Sequence, residues 1–290
     1  MATVLDLSRQ GVPAKGEHLL DRFREIISDP LNLLIERVPM AGVVTSGQIM
    51  LHNGLRVPVN NYYGDFSTIL VINRGVHEPL EEYVFQEVLR QLDPAEPVEM
   101  IELGAYWAHY SMWLKRRFPN ARTTCVEPEA GNLETGRRNF ALNGMVGEFI
   151  QAFVSDEHFR VDDFLAKEPR RIDILHADIQ GFELQMLMGA KMVLEAQNVQ
   201  RIFVSTHSQG LHQQVVQTLK TFGYRVDVSA DFANETTSFD GFVYACLPHL
   251  PPLLSGVEIL GRKAICGTAP HDLVDYAGRV LAARSPFVEL

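Results

Sequence analysis

The sequence predicts an α/β fold in which a doubly wound, mostly parallel sheet carries helices on both faces. From Val98 onward, five short strands alternate with four helical patterns. The last two strands, Tyr224–Val228 and Phe242–Cys246, have no helical pattern between them, which predicts an antiparallel pair at the end of the sheet. The chain has 290 residues, 46% of them hydrophobic, which suffices for one large domain with extensions.

The predicted strands are short segments, most of them rich in apolar residues, and each predicted helix shows helical spacing of its apolar residues or a terminal signal. The five parallel strands are Val98–Leu103, Arg122–Glu127, Gly147–Val154, Ile172–Ala177 and Val199–Thr206. The helices are Ala108–Arg117, Glu129–Leu142, Phe182–Glu195 and Leu211–Phe222. Asn143-Gly144 ends the second of these helices, because glycine tolerates the left-handed conformation that commonly closes a helix.

The segments before and after the sheet are predicted to form an extension and a tail. Their recognisable elements are a helical segment His18–Glu36 interrupted at Pro30, a hairpin Gln48–Val59 with an Asn53-Gly54 turn, an amphipathic helix Pro79–Leu92 and a second amphipathic helix Asp272–Ala283. The predicted division is an N-terminal extension over residues 1–75, a catalytic domain over 76–247 and a C-terminal tail over 248–290. Either flank could pack on a second subunit, so a homodimer is one of the alternatives.

The composition argues against several classes of protein. With 26 basic and 36 acidic side chains the net charge is −10, which disfavours a grip on nucleic-acid phosphates or an anionic membrane surface. The three cysteines are scattered, and no HxH, HExxH or Cys/His pairing occurs, so neither a disulfide framework nor a zinc site is expected. The first 15 residues lack an apolar signal region and no apolar run approaches ~20 residues, so a cytoplasmic protein without a membrane span is expected.

Because doubly wound sheets bind ligands beyond the carboxyl ends of their strands, the residues that follow each strand are the candidates for chemistry. Gly104 follows the first strand and permits a tight turn, but the loop lacks the GxGxxG pattern that accommodates a pyrophosphate. Glu127 ends the second strand, where a carboxylate can accept both hydroxyls of a ribose. This combination predicts an adenosine-like ligand without pyrophosphate, for which S-adenosylmethionine is the commonest cofactor. Gln151 could pair with an adenine edge or lie at the surface.

Asp178 and His207 follow the fourth and fifth strands and are expected to face one cleft. There His207 could accept a proton from a hydroxyl near neutral pH, while Asp178 orients it or binds a divalent cation such as Mg²⁺. Asp178 is equally suited to cap a helix, and Glu183 is expected to support the turn between them. His109 and His212 lie on predicted helices and are expected to face solvent.

Three segments resemble the FkbM type of class I S-adenosylmethionine-dependent methyltransferase. They are MIELGAYWAHYSMWL (Met100–Leu114), VEPEAGNLETGRRNFALNG (Val126–Gly144) and IDILHADIQGFELQMLMGA (Ile172–Ala190). The third is the most specific, since an Asp-Ile-x-Gly-x-Glu turn followed by Leu-x-Gly-Ala is the usual signature. The resemblance covers roughly Gln48–Cys246 and implies a seven-stranded, Rossmann-like methyltransferase sheet. It also implies S-adenosylmethionine as methyl donor and O-methylation of a hydroxyl on a sugar, glycoconjugate or secondary metabolite.

The resemblance assigns the methionine moiety to the first strand-end loop, the ribose to Glu127 and the sulfonium to the vicinity of Asp178. With Gln151 added from the residue argument, the expected cofactor-binding residues are Glu102, Gly104, Tyr106, Ser111, Glu127, Gln151 and Asp178. The chain departs from the family at Ala108, where a second glycine is common, and at His176, where a lysine is usual. A nicotinamide-dependent oxidoreductase and a non-catalytic binding scaffold are the alternatives.

Overall fold

The computed structural model describes residues 19–62 and 64–284. Residues 1–18 lie outside the described residues. They include the start of the predicted extension and the first 15 residues, which lack an apolar signal region. Within the described part of the chain, no helix is both long enough and apolar enough to cross a bilayer.

A seven-stranded sheet forms the centre of the described structure and confirms the predicted fold class. Its strands are β4 (Glu99–Leu103), β5 (Arg122–Glu127), β6 (Glu148–Gln151), β7 (Ile172–Ala177), β8 (Val199–Thr206), β9 (Arg225–Ala230) and β10 (Gly241–Cys246). The strand order is β6-β5-β4-β7-β8-β10-β9, with parallel pairing up to β8 and β10 antiparallel to both of its neighbours. The order therefore reverses between β4 and β7, which is where this architecture opens a ligand crevice.

Helices cover both faces of the sheet, because the side chains of its strands alternate between two cores. Met100 and Ile174 belong to one buried cluster, and their neighbours Ile101 and Leu175 belong to the other. The helices are α4 (His109–Arg117), α5 (Ala130–Leu142), α6 (Val161–Lys167), α7 (Glu183–Gly189), α8 (Lys191–Glu195) and α9 (Gln209–Thr221). The sequence analysis missed α6, and it predicted one helix where α7 and α8 are separated at Ala190.

The N-terminal segment packs on the sheet instead of standing apart from it. Its elements are α1 (Leu19–Ser28), a 3₁₀ turn (Pro30–Leu33), β1 (Val44–Thr45), β2 (Gln48–Met50), β3 (Arg56–Pro58), a second 3₁₀ turn (Gly64–Ser67), α2 (Thr68–Ile72) and α3 (Pro79–Gln91). The β2–β3 hairpin confirms the predicted turn at Asn53-Gly54. The predicted helix Pro79–Leu92 is present as α3, but its polar face is not exposed. Every residue of α3 from Pro79 to Arg90 is buried, because the extension covers that polar face.

The C-terminal tail returns to the same core. After a short 3₁₀ turn (Phe232–Asn234) and β10 come α10 (Arg262–Gly267) and α11 (Pro270–Ala282). Tyr276 and Val280 of α11 are buried in the cluster that also contains Phe23 of α1 and Phe85 of α3. The tail helix is therefore packed on the fold of its own chain.

Gly104 is required because two strand-end loops meet there. Its φ is +73°, and a Cβ built on it would lie 1.7 Å from the carbonyl oxygen of Asp178. No side chain fits at that distance from backbone, so this contact fixes how closely the loop after β4 approaches the loop after β7.

Gly104→Ala is expected to lower the free energy of unfolding by about 2–6 kcal/mol, since it adds steric overlap to backbone strain. Urea denaturation followed by circular dichroism measures the change. The matched control is Gly131→Ala on α5, which meets nothing within 4 Å of the added Cβ and is expected to be neutral or slightly stabilising. Equal stability of the two variants would contradict the role assigned to Gly104.

Candidate active site

A cavity of about 710 Å³ lies at the carboxyl end of the central strands. Its walls come from the loops that follow β4, β5, β6 and β7, together with the start of α3 and parts of both flanks. Five of the sequence-predicted residues line it: Glu102, Gly104, Tyr106, Glu127 and Asp178. The volume lies within the range of ordinary small-molecule sites.

Glu127 is held in place by backbone donors from two loops. Its Oε2 accepts a hydrogen bond from the backbone N–H of Tyr106 at 3.1 Å, and its Oε1 accepts one from the N–H of Glu129 at 3.0 Å. The amide of Asn132 donates to the same Oε1 at 3.3 Å. The carboxylate is thus nearly buried and fixed in orientation at the cavity wall, which suits it to accept ligand hydroxyls.

Two predicted cofactor-binding residues do not line the cavity. Ser111 is fully buried: its N–H donates to Glu102 Oε2 at 2.9 Å and its hydroxyl accepts from the Cys125 thiol, so it positions Glu102 from the core. Gln151 is exposed, and its side-chain amide donates to the carbonyl oxygen of Pro128. Phe153 lines the cavity at the end of β6 instead, where it packs edge-on against Phe182.

Asp178 and His207 do meet, in a cluster that also contains Glu183 and Asp240. His207 Nδ1 lies 2.8 Å from Oε1 of the fully buried Glu183. His207 Nε2 lies 3.4 Å from Asp178 Oδ1 and 3.5 Å from Asp240 Oδ1. The imidazole therefore faces a carboxylate at both nitrogens. Glu183 orients it, and its Oε1 also accepts from the N–H of Gly181, so the expected support of the turn is present as well.

The charges of this cluster revise the role expected for His207. Burial alone would lower the pKa of His207, but its hydrogen bonds to Asp178 and Glu183 and the charge of Asp240 raise it to about 10. Its ring is therefore protonated near neutral pH and is not a free proton acceptor there. His207 also lies outside the cavity lining, behind Asp178 and Asp240.

Asp240, which directly precedes β10 and was not among the predicted site residues, is a titratable carboxyl at the cavity wall. Burial and the charge of Asp178 raise its pKa to about 8, against the lowering effect of His207. Burial also tends to raise the pKa of Asp178, but the hydrogen bond and charge of His207 outweigh it and lower that pKa. The two carboxyls thus differ, with Asp178 charged and Asp240 able to exchange a proton near neutral pH.

The prediction that His109 and His212 face solvent is wrong, since both are at least 98% buried. Thr206 Oγ1 lies 2.9 Å from Nδ1 of His212 and Ser229 Oγ lies 2.8 Å from Nε2, so each nitrogen of this core histidine meets a hydroxyl. His109 is stacked on Trp107 with ring centroids 4.9 Å apart. An isolated histidine within a helical pattern carries no signal that separates these environments from an exposed one.

The N-terminal segment supplies residues that the sequence analysis did not identify as part of the site. Arg22 of α1 donates to the Tyr62 hydroxyl at 2.8 Å and to Glu78 Oε1 at 3.2 Å, and all three line the cavity. On the next turn of α3, Glu81 Oε1 lies 2.5 Å from His176 Nε2. The start of α3 and the residue before it therefore bring two buried acids to the cavity wall.

Residues 153–226 match the family described as the methyltransferase FkbM domain. This segment of the chain is therefore similar to the FkbM methyltransferase domain. The matched segment begins at Phe153 and includes Asp178, Glu183 and His207. The match supports methyltransferase activity with S-adenosylmethionine as the donor. Curated proteins gave no match to this chain.

Several solved structures are similar to this chain over part of its length. One is the precorrin-6y C5,15-methyltransferase from Geobacter metallireducens GS-15, with a TM-score of 0.42, 16% identity and coverage of 57% of this chain and 89% of that one. Another is TrmK from M. capricolum in complex with S-adenosyl-homocysteine, with a TM-score of 0.42, 13% identity and coverage of 69% and 95%. A third is the ribosomal protein L11 methylase from Lactobacillus delbrueckii subsp. bulgaricus, with a TM-score of 0.43, 10% identity and coverage of 60% and 81%.

The protein is expected to lose stability as the pH rises from about 7 towards 10. The folded pKa of His207, about 10, exceeds its ordinary value of 6.5, so its contribution is complete below pH 6.5 and is lost as the pH rises through 10. The raised pKa of Asp240 acts in the same direction, because the folded chain must give up a proton that it holds more tightly than the unfolded chain. Urea unfolding at a series of pH values measures the slope.

Glu183→Gln should flatten this slope by lowering the pKa of His207, and ¹⁵N chemical shifts of the imidazole report that pKa directly. Glu134→Gln, in an exposed pair with Arg138 on α5, serves as the control and should leave the slope unchanged. A His207 ring that is neutral at pH 8 in the unaltered protein would contradict the assignment.

Proposed function

We propose that this protein is an S-adenosylmethionine-dependent O-methyltransferase that acts on a hydroxyl of a sugar, glycoconjugate or secondary metabolite. The observation that carries the proposal is the position of the FkbM-matched segment. It contributes Asp178, and behind it His207 and Glu183, to the wall of the cavity at the carboxyl edge of the sheet. This wall combines a charged carboxylate with a titratable one, and the titratable one can accept the proton that a hydroxyl loses when it is alkylated.

The residues of the cavity fit the proposed cofactor. Glu127 would hold the ribose hydroxyls, Glu102 and Tyr106 the methionine moiety, and Phe153 offers an aromatic edge to the adenine. Asp178, which stays charged because its pKa is lowered, is suited to lie near a sulfonium cation. When bound, S-adenosylmethionine supplies a methyl group on a sulfur that is already a good leaving group.

The residues of the chain then have to align the acceptor and remove its proton. We assign proton acceptance to Asp240, which lines the cavity and has a pKa of about 8, close to the value that suits a base at neutral pH. His207 lies 3.5 Å from Asp240 and 3.4 Å from Asp178 and holds both carboxyls in position. The acceptor O–H bond breaks towards the Asp240 carboxylate as the oxygen takes the methyl group.

The sequence also suggested a second version of this mechanism, in which a divalent cation binds at the cluster of Asp178, His207 and Asp240. One ligand atom each from Asp178, His207 and Asp240 lie within 4.8 Å of one another. A bound Mg²⁺ would lower the pKa of the acceptor hydroxyl directly, and His207 would then have to be neutral. Turnover that EDTA abolishes and Mg²⁺ restores favours this variant over proton transfer to Asp240 alone.

The remaining expectations are also proposals. The net charge of −10 supports a small-molecule or glycan acceptor over a nucleic acid. The free thiols of Cys125, Cys246 and Cys266 support work in the reducing cytoplasm. The proposed division of the chain is still an extension over residues 1–75, a catalytic domain over 76–247 and a tail over 248–290. A homodimer is still an open alternative.

Asp240→Asn and His207→Ala should each lower turnover ~10²-fold or more, because the first removes the proton acceptor and the second its positioning partner. The assay is transfer of a labelled methyl group into a panel of sugars and metabolite extracts. Affinity for S-adenosylhomocysteine, measured by calorimetry, should change little. Asp163→Asn, on the exposed face of α6, is the matched control and should retain full turnover. Full turnover in Asp240→Asn would remove Asp240 from this role.

Glu127→Gln should weaken binding of S-adenosylhomocysteine by about 10- to 150-fold, the range expected when a charged hydrogen-bond acceptor is lost. Isothermal titration calorimetry measures it, with Glu134→Gln as the control. The same titration with NAD tests the oxidoreductase alternative, and binding of neither ligand to the unaltered protein would favour the scaffold alternative.

A further inference from the structure

Three histidines and one glutamate converge beside the cavity, in a cluster that shares no residue with the proposed reaction site. His52 follows β2, His77 precedes α3, Glu82 lies on α3 and His109 begins α4. All four are at least 97% buried. The mechanism proposed above uses none of them, so this cluster, named here the His52 cluster, requires another explanation.

Three of these side chains place a ligand atom around one point. His52 Nε2 lies 2.7 Å from Glu82 Oε2, and His109 Nε2 lies 3.9 Å from the same oxygen. The three atoms all lie within 4.8 Å of one another. Ligand atoms of a tetrahedral zinc ion lie roughly 3.4 Å apart, given bonds of about 2.1 Å, so small side-chain shifts would admit the ion.

The opposite atoms of His52 and Glu82 are already bound, which orients His52 Nε2 and Glu82 Oε2 towards the centre. His52 Nδ1 lies 3.3 Å from the carbonyl oxygen of Glu36, the contact that places the proton on Nδ1 and leaves a lone pair on Nε2. Glu82 Oε1 accepts from the backbone N–H groups of His77 and Glu78 at 2.7 and 3.0 Å, and lies 2.5 Å from His77 Nδ1. Glu82 Oε2 is thereby left for the ligand.

His109 points most directly to a missing ligand. Both of its ring nitrogens are buried, and neither has a hydrogen-bond partner among the described residues. An unpartnered buried polar atom costs free energy, so a fully enclosed imidazole of this kind is unfavourable unless something binds it. Its burial also lowers its pKa well below the ordinary value, which keeps the ring neutral and its lone pair available.

We propose that His52 Nε2, Glu82 Oε2 and His109 Nε2 bind a first-row divalent transition metal, with zinc as the expected ion. Two imidazoles and one carboxylate form a ligand set that zinc accepts and that Mg²⁺ and Ca²⁺ disfavour. Three protein ligands leave the fourth position for water. His109 and His77 also line the cavity, which gives the ion a route in.

Such an ion would connect three parts of the chain that are distant in sequence. His52 belongs to the N-terminal hairpin, Glu82 to the buried helix α3, and His109 to the helix that follows the first cavity loop. Metal binding would therefore stabilise the attachment of the extension to the sheet, because the ion binds the folded chain only. The proposal is independent of the methyl acceptor and differs from the sequence-based expectation of no zinc site.

The test uses the full chain, stripped with a chelator and titrated with Zn²⁺ by calorimetry. The expected result is one equivalent bound by the unaltered protein, with a rise in the thermal unfolding temperature. His52→Gln should bind at least about 100-fold more weakly, since it loses a direct ligand and loss of an outer partner alone costs ~10–100-fold. His212→Gln, which alters a buried histidine outside the cluster, and Asp240→Asn should bind as the unaltered protein does.

The result that overturns the proposal is absence of zinc binding by the unaltered protein, or binding that survives His52→Gln and is lost in Asp240→Asn. The second of these assigns the metal to the cluster of Asp178, His207 and Asp240. If His52→Gln does not fold, X-ray absorption spectroscopy of the zinc-bound unaltered protein counts the imidazole ligands and so decides between the two clusters. Two imidazole ligands support the His52 cluster, while a single imidazole, as the other cluster would supply, contradicts it.

Discussion

The structure depends on the burial of a helix that carries carboxylates. All of α3 from Pro79 to Arg90 is enclosed, although Glu81, Glu82 and Glu87 lie on it and Glu78 directly precedes it. A buried carboxylate is tolerated only when it is paired and hydrogen-bonded, so α3 requires partners on every side. Those partners come from the extension, the sheet and the tail.

Three of these four acids contact different parts of the chain. Glu78 pairs with Arg22 of α1, and Glu81 with His176 and Ser205 of the sheet. Glu87 lies 3.2 Å from Arg284, beyond the last helix. These contacts place the extension over the cavity and make it part of the wall, so part of that wall is built by residues far outside the FkbM-matched segment.

The sequence predicts the sheet well because its signals are local. Ile172–Ala177 and Val199–Thr206 have the predicted bounds, since a short segment rich in apolar residues with a clear end needs no distant partner to be recognised. The positions of Asp178 and Glu127 follow from the same pattern, because parallel strands bring their carboxyl ends to one edge. What the pattern cannot supply is the direction in which a side chain points. Ser111 and Gln151 lie near the right loops, yet one is in the core and the other is at the surface.

Long-range pairing accounts for most of what sequence analysis missed. Arg22 and Glu78 are 56 residues apart, and Glu81 and Ser205 are 124 apart, so no window of sequence contains either pair. The same applies to the charge of His207. Its position at a strand end was predictable, but its raised pKa depends on Glu183 and Asp240, which approach from two other loops. A histidine predicted as a base from position alone becomes a cation once its neighbours are known.

The two departures from the family are accommodated by this environment. Ala108 has a φ of +60°, the left-handed conformation that the glycine common at this position adopts without strain, and Tyr106 has a φ of +42° in the same loop. The strained loop is held by the hydrogen bond from Tyr106 N–H to Glu127 and by the fully enclosed Ala108 methyl. His176, where a lysine is usual, meets Glu81, and the charge of that carboxylate raises its pKa against the effect of burial. A lysine there would present the same positive charge to the same acid, so the substitution preserves the partner that α3 requires and leaves the cavity acids in place.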